Sequence, residues 1–191
     1  MSDPWIIRFP DQGDANIRLT HQGVGMVIDR WEAIELELAR LYSVFNADPD
    51  GAAVNDYGRP RIFAERILGL RKTAETYFTR MPDQALEGEF ARVTLIAERF
   101  ADRRNEVAHS FVMPVENMTY FQERMKLSKA RRHHYLLIPP IHTVRKHVGG
   151  LPSYAYSYPT LSELAKRLGT ALGEIHVFRE AILARAAPPK P

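Results

Sequence analysis

Three residues near the middle of the chain carry side chains that can act on a phosphate ester. Arg104, Asn105 and His109 lie within six residues of one another. A guanidinium can bind phosphate oxygens in a bidentate manner, an imidazole can transfer protons near neutral pH, and an amide can orient either group. The set therefore predicts a site that holds a phosphate and moves protons at a neighbouring hydroxyl.

The same residues have an ordinary structural interpretation. Arg104 falls where the apolar face of its predicted helix would continue, so it can reach from that face to solvent or pair with a carboxylate. His109 can stabilise the helix C-terminus as a cation. Five residues of regular helix turn about 500°, which leaves the two side chains roughly 140° apart. They would share a site only at a helix end or distortion, or with a second copy. The candidate carboxylates on the first helix are Glu32, Glu35 and Glu37.

Four main helices are predicted to position this site. Apolar residues spaced three and four apart over 24–45 predict a long first helix, and a similar pattern predicts a second over about 60–80. A third helix is predicted to open at Pro82 and to lead into the Arg104 region. The last is predicted to begin near Pro159, where Thr160–Glu163 has the spacing of a capping box.

These elements predict a mainly α fold, a four- to five-helix up-down bundle with a basic, partly β or irregular insertion before the last helix. We expect an N-terminal arm over residues 1–20 and a single helical domain over 21–187. The insertion is expected at about 111–158, and residues 188–191 are expected to form a disordered tail. Within the insertion, the short runs at 111–113 and 135–138, each followed by proline, are expected to form strands or a hairpin. Gly149-Gly150 is expected to form a turn.

The insertion is the basic part of the chain. Between positions 124 and 162 the chain has seven Lys or Arg and no Asp or Glu, whereas the whole chain carries only +3. This concentration predicts an anionic partner, with nucleic acid first, although a solvated basic surface would have the same composition. The seven residues are Arg124, Lys126, Lys129, Arg131, Arg132, Arg145 and Lys146.

Other groups in the insertion have weaker functional signals. Tyr154, Tyr156 and Tyr158 alternate, which predicts one face of a half-buried strand more strongly than a base-stacking surface. The histidines at 133, 134, 142 and 147 fit no standard metal-binding spacing, and neighbouring arginines would repel a cation. We interpret them as solvated or phosphate-facing and expect neither a metal nor a cofactor.

The composition excludes some classes of protein. The chain has no cysteine, which excludes a disulfide framework, a thiolate zinc site and a cysteine nucleophile, and fits a cytoplasmic location. No secretory signal is evident at the start, and no run reaches about 18 apolar residues, so no membrane span is expected.

The motif from Arg104 to Ser110 resembles the Arg-x4-6-His motif of the HEPN superfamily (higher eukaryotes and prokaryotes nucleotide-binding). Asn105 directly follows the arginine and Ser110, a small residue, directly follows His109, as is frequent in that family. The order of the helices agrees as well. The resemblance covers roughly residues 20–111 and 159–186, with the basic segment between them as a variable insertion.

The resemblance implies a homodimeric helical bundle in which the motifs of both copies meet in one cleft. Many members are metal-independent endoribonucleases of toxin–antitoxin, defence or RNA-processing systems, and others are non-catalytic binding modules. By carry-over, His109 would be the acid/base group, Arg104 would stabilise charge on the phosphate, and Asn105 would position one of them. The partners implied are RNA, a second copy and an antitoxin protein.

Overall fold

The computed structural model describes residues 10–48, 51–115, 118, 134–140, 142–148 and 151–186. The described chain is mainly helical. Helices α1 (Ile17–Phe45), α2 (Ala53–Gly58), α3 (Phe63–Arg80) and α4 (Gln84–Ala108) precede strands β1 (Phe111–Pro114) and β2 (Tyr135–Ile138). A 3-10 turn (Val144–Lys146), strands β3 (His147–Val148) and β4 (Leu151–Pro152), and helix α5 (Tyr158–Ala186) follow. The predicted mainly α class, with a partly β insertion before the last helix, is confirmed.

The helix starts follow local capping. The Asn16 side chain accepts a hydrogen bond from the Arg18 N–H at 2.9 Å, so α1 begins at Ile17, inside the segment predicted as an arm. Asp83 accepts from the Leu86 N–H at 3.0 Å and opens α4 in the same way. The remainder of the predicted arm before Pro10, like the predicted tail over 188–191, lies outside the described residues.

The described residues form two compact units. The second unit comprises Trp31–Ala101 and the described part of Leu168–Pro191. It is a helical bundle whose core contains the apolar face predicted for α1, including Trp31, Ile34 and Leu38. An aromatic cluster joins the helices: the ring of Phe45 lies 5.4 Å from that of Phe90, which lies 6.1 Å from that of Phe178. The first of these contacts is edge-to-face and the second is tilted, and such contacts add to the stabilisation from burying apolar area.

The first unit comprises the described residues of Met1–Arg30 and Asp102–Arg167. Its strands β1 and β2 are antiparallel, with Phe111 opposite Ile138 and Pro114 opposite Tyr135. The runs predicted as strands at 111–113 and 135–138 are thus confirmed. A small core beneath them contains Val115, Leu136, Ile138 and Ala155.

The start of α5 differs from the predicted capping box. The helix begins at Tyr158, so Ser157 is the capping residue, and the Thr160 hydroxyl accepts a hydrogen bond from the Ser157 N–H at 2.8 Å. The buried Asp14 carboxylate accepts the Tyr158 N–H at 2.8 and 3.0 Å and the Thr20 hydroxyl at 2.6 Å. The prediction of Thr160 as the cap was wrong because a carboxylate distant in sequence satisfies an earlier N–H.

Helices α1 and α5 make a close contact in the first unit at Gly23. A Cβ added there would lie 2.8 Å from the Leu161 Cβ, whereas one added at Gly25 would meet nothing within 4 Å. We expect Gly23→Ala to lower the free energy of unfolding by about 1–3 kcal/mol through overpacking. Gly25→Ala should leave it unchanged or raise it by up to about 1 kcal/mol, because alanine favours helix. Urea titrations of both variants measure this, and equal effects would contradict the close contact.

Candidate functional site

The predicted motif lies at the C-terminal end of α4, within the first unit. Arg104 is partly buried and its Nη1 donates to the Asn105 side-chain oxygen at 3.2 Å, while Asn105 itself is exposed. His109 is the exposed first residue after α4, and its N–H still bonds to the Asn105 carbonyl at 3.1 Å. That bond keeps His109 close to the helical register. The angular separation of about 140° expected between Arg104 and His109 therefore persists in one copy.

Glu106, between these residues, anchors the insertion to the last turn of α4. Its two carboxylate oxygens accept hydrogen bonds from Arg103 Nη1 at 2.7 and 2.8 Å, and the buried Tyr156 hydroxyl donates to it as well. Burial raises the pKa of Tyr156 above its ordinary range, and the negative charge of Glu106 raises it further. Tyr156 therefore stays a neutral donor, and the insertion is fixed against the motif.

A second set of hydrogen bonds connects the motif with the basic residues of the insertion. The Ser110 hydroxyl donates to the Glu106 carbonyl at 2.6 Å, and the Tyr154 hydroxyl lies 3.2 Å from Ser110 Oγ. Lys146 Nζ donates to the Tyr154 hydroxyl at 3.2 Å. We call this chain of contacts the Lys146 relay (Lys146, Tyr154, Ser110 and the Glu106 carbonyl). Two hydrogen bonds in it separate Lys146 from Ser110, the residue that follows His109.

Of the other basic residues predicted to bind RNA, the structure describes only Arg145. Arg145 is exposed in the same 3-10 turn as Lys146. The remaining predicted RNA-binding residues lie outside the described part of the chain, namely Arg124, Lys126, Lys129, Arg131 and Arg132. The turn predicted at Gly149-Gly150 also lies outside it, between the paired strands β3 and β4.

Two of the carboxylates considered as partners for Arg104 bind other arginines within the second unit. Glu35 accepts from Arg66 at 2.9 Å, and Glu37 accepts from Arg40 at 2.6 Å and from Arg179 at 2.8 Å. Each of these two carboxylates therefore has a cationic partner other than Arg104. Glu35 and Glu37 therefore support the helices of the second unit.

No family model, curated protein or solved structure matches this chain. None of the helices in the described part of the chain has the length and apolar character needed to cross a bilayer.

The histidines and tyrosines of the insertion depart in part from their predictions. His134 is buried and its ring lies 3.3 Å from the Gly13 carbonyl, so the prediction that it is solvated or phosphate-facing was wrong. The His147 ring contacts the Thr143 carbonyl at 3.1 Å, while His142 is exposed; His133 lies outside the described residues. The described residues contain no group of three or more His, Asp or Glu arranged to hold a metal ion. Tyr158 begins α5, so the predicted strand with three tyrosines on one face was also wrong.

Sequence reasoning missed the roles of Glu106, Ser110 and Tyr154 in positioning. Tyr154 and Tyr156 contact Ser110 and Glu106 from 44 and 50 residues further along the chain, respectively. Their alternation was visible in the sequence, but nothing local indicates which carboxylate or hydroxyl they contact. Glu106 carried a usable signal, because it is an acidic residue inside the motif, one turn before Ser110.

Proposed function

We propose that this protein is a metal-independent endoribonuclease of the HEPN type. Arg104 would bind the scissile phosphate and stabilise the charge that develops on it. His109 would take the proton from the ribose 2′-hydroxyl or give one to the leaving 5′-oxygen. The 2′-oxygen then forms a bond to phosphorus as the bond from phosphorus to the 5′-oxygen breaks. The products are a 2′,3′-cyclic phosphate and a 5′-hydroxyl.

The observation that carries this proposal is the Lys146 relay. A lysine that donates one N–H to Tyr154 at 3.2 Å has two further N–H donors for a phosphate. The relay continues through Ser110, which directly follows His109. It therefore connects the Lys146 ammonium with the residue next to His109. An RNA backbone that followed Lys146 and Arg145 would reach the end of α4, where Arg104 and His109 can act on it.

The geometry of α4 favours a site built from two copies. One helix directs Arg104 and His109 to different sides, so one copy does not readily present both groups to one phosphate. A two-fold axis beside the last turn of α4 would place Arg104 of one copy near His109 of the other. Homodimerisation is therefore part of the proposal. A toxin–antitoxin or defence role, an antitoxin partner and a cytoplasmic location also belong to it.

A second candidate is a non-catalytic module that binds RNA or a nucleotide. The exposed His109 ring favours it, since within the described residues no hydrogen bond orients that ring. Catalytic imidazoles are commonly oriented by a hydrogen bond to the second ring nitrogen. This candidate predicts salt-sensitive RNA binding without cleavage.

The first test is cleavage of a labelled structured RNA by the purified protein in excess EDTA. The endoribonuclease should produce 2′,3′-cyclic phosphate ends despite the chelator. Lys146→Ala should weaken RNA binding. It should also reduce the slope of log affinity against log salt concentration by about one, because one fewer phosphate is neutralised. Lys166→Ala, the same charge change at an exposed position of α5, is the matched control.

The outcomes separate the two candidates. Binding without cleavage, weakened by Lys146→Ala, would support the non-catalytic module and reject the enzyme. Cleavage that EDTA abolishes would reject the metal-independent mechanism. Equal effects of Lys146→Ala and Lys166→Ala on binding would remove the Lys146 relay as the contact with RNA.

A further inference from the structure

The second unit has a groove between α3 and α4 that the proposed ribonuclease does not use. The two helices are antiparallel neighbours, since Arg71 binds Glu98 at 2.8 Å and the ring of Phe78 lies 6.3 Å from that of Phe90. These two buried rings form the floor of a cavity of about 360 Å³. On α3 the lining extends from Arg71 to Thr79, about 12 Å at the helical rise of 1.5 Å per residue. The groove can therefore contact about two turns of a third helix.

Two exposed leucines lie beside this groove. Leu68 lies one turn before Arg71 on α3 and is 54% exposed, and Leu95 lies one turn before Glu98 on α4 and is 46% exposed. Because residues three apart on a helix are neighbours, the two leucines flank the ion pair that joins the helices. An apolar surface placed on the groove would remove both leucines from water.

The groove carries two negative charges. Glu75 and Glu87 line it from opposite helices, both are exposed, and neither carboxylate has an ion pair or hydrogen bond with any residue that the structure describes. Arg71 is the one base among the described lining residues, and its two terminal nitrogens donate to the two oxygens of Glu98 at 2.9 and 2.8 Å. Arg71 and Glu98 therefore balance each other. The next base on α3, Lys72, does not line the groove.

From the aromatic floor, the exposed leucines and the unbalanced carboxylates we infer that this groove binds an amphipathic helix of a partner protein, with leucines on one face and lysines or arginines beside them. A groove between two antiparallel helices has the shape that a third helix fills in a bundle. The apolar face of the partner covers Leu68 and Leu95, and its cations pair with Glu75 and Glu87. The surface uses neither the motif at the end of α4 nor the Lys146 relay, so it is independent of the ribonuclease proposal.

The charge of the groove argues against a second copy of the same surface as the occupant. A two-fold axis that placed one groove on another would bring Glu75 and Glu87 of both copies together. Like charges at an interface weaken it, whereas lysines or arginines on a partner helix would be attracted.

Fluorescence anisotropy of a labelled synthetic peptide with the full chain tests the inference. The probe is a helix of about four turns with leucines at i, i+3, i+4 and i+7 and lysines beside them. One comparator has glutamates in place of the lysines, and the other is a scrambled peptide of the same composition as the probe. We expect saturable binding of the probe, at least about tenfold tighter than either comparator and weaker at higher salt. Absence of saturable binding, or equal binding of the scrambled peptide, would overturn the inference.

Variants with matched controls assign the binding to the groove. The double variant Glu75→Gln and Glu87→Gln should weaken the lysine probe about tenfold, because it removes both charges. Glu65→Gln, at an exposed position of α3 outside the lining, should leave affinity unchanged. Leu95→Ala should weaken the probe at least about threefold, whereas Leu36→Ala, at a 45% exposed position of α1, should not. If either control had the same effect as its counterpart, the peptide would bind elsewhere and the assigned groove would be wrong.

Sedimentation velocity distinguishes a partner helix from a second copy as the occupant. A saturating concentration of the lysine probe should leave the oligomeric state of the chain unchanged. If the probe or Leu95→Ala dissociated a dimer, a second copy would occupy the groove and the inference would be overturned.

Discussion

Glu37→Ala is expected to lower the free energy of unfolding by about 3–5 kcal/mol, the usual cost of breaking a buried ion pair from one side. Glu37 is 8% exposed, and it accepts hydrogen bonds from Arg40 and from the nearly buried Arg179. Its removal leaves the Arg179 guanidinium in the second unit with only the half-exposed Glu180 as a counter-charge. Urea titration at pH 7, followed by circular dichroism, measures the loss.

The same interaction has a defined pH dependence. Burial alone would raise the pKa of Glu37, but hydrogen bonds from Arg179, Arg40 and His176 more than offset this, so its pKa lies below the ordinary 4.5. A carboxyl whose pKa falls on folding stabilises the folded state above its unfolded value and loses that contribution as pH falls through the folded value. The difference in stability between wild type and Glu37→Ala should therefore be full above pH 4.5 and narrow below it.

A control separates this buried ion pair from surface charge. Glu163 on α5 pairs with Arg167 at 2.9 Å at an exposed position, and Glu163→Ala should leave the urea midpoint unchanged. If Glu163→Ala and Glu37→Ala had equal effects, or if the Glu37 effect did not narrow in acid, the Glu37 ion pair would not be the source of the stability.

The helices could be predicted because local sequence patterns specify them. The three-and-four spacing over 24–45 predicted α1, because each apolar residue falls on the same face and that face is buried. The start of α1 was missed by a few residues, although Asn16 is a capping residue in the sequence. The short helix α2 was missed because it lies among turn-forming residues and is too short to show a period.

The insertion could be predicted only in outline. Proline-bounded runs at 111–113 and 135–138 predicted strands or a hairpin, but not the register in which the two runs pair. The attachment of the insertion depends on Asp14 binding the Tyr158 N–H and on Tyr156 binding Glu106, across separations of 144 and 50 residues. Such contacts leave no periodic signal, because a single polar side chain at either end is sufficient to form them.

The candidate site shows the same division between local and distant information. The position of Arg104 and His109 at the end of a helix followed from the apolar pattern of α4. The placement of Lys146 next to that helix end did not, because it depends on two hydroxyl groups, those of Ser110 and Tyr154. Charge composition indicated that the insertion was basic, and only the hydrogen bonds indicate which lysine lies near the motif.

For the proposed ribonuclease, His109→Ala is expected to reduce cleavage by about 10²–10⁴-fold, the usual contribution of a general acid or base. RNA affinity and the urea midpoint should change little, since the His109 ring is exposed. His21→Ala, a change of the same kind at an exposed position of α1, should retain full activity. Unfolding of the His109 variant would instead make this residue structural, and full activity would exclude it as the proton-transfer group.

The proposed two-copy site can be tested in the same cleavage assay. Arg104→Gln should also be inactive, because the amide has no charge with which to stabilise the phosphate. In a mixed dimer, the His109→Ala copy supplies Arg104 and the Arg104→Gln copy supplies His109. Co-expression of the two inactive variants should therefore restore one composite pair and part of the activity. If activity returned only when both residues were intact in one copy, Arg104 and His109 would act within a single chain, and the end of α4 would have to rearrange on binding RNA to bring them together.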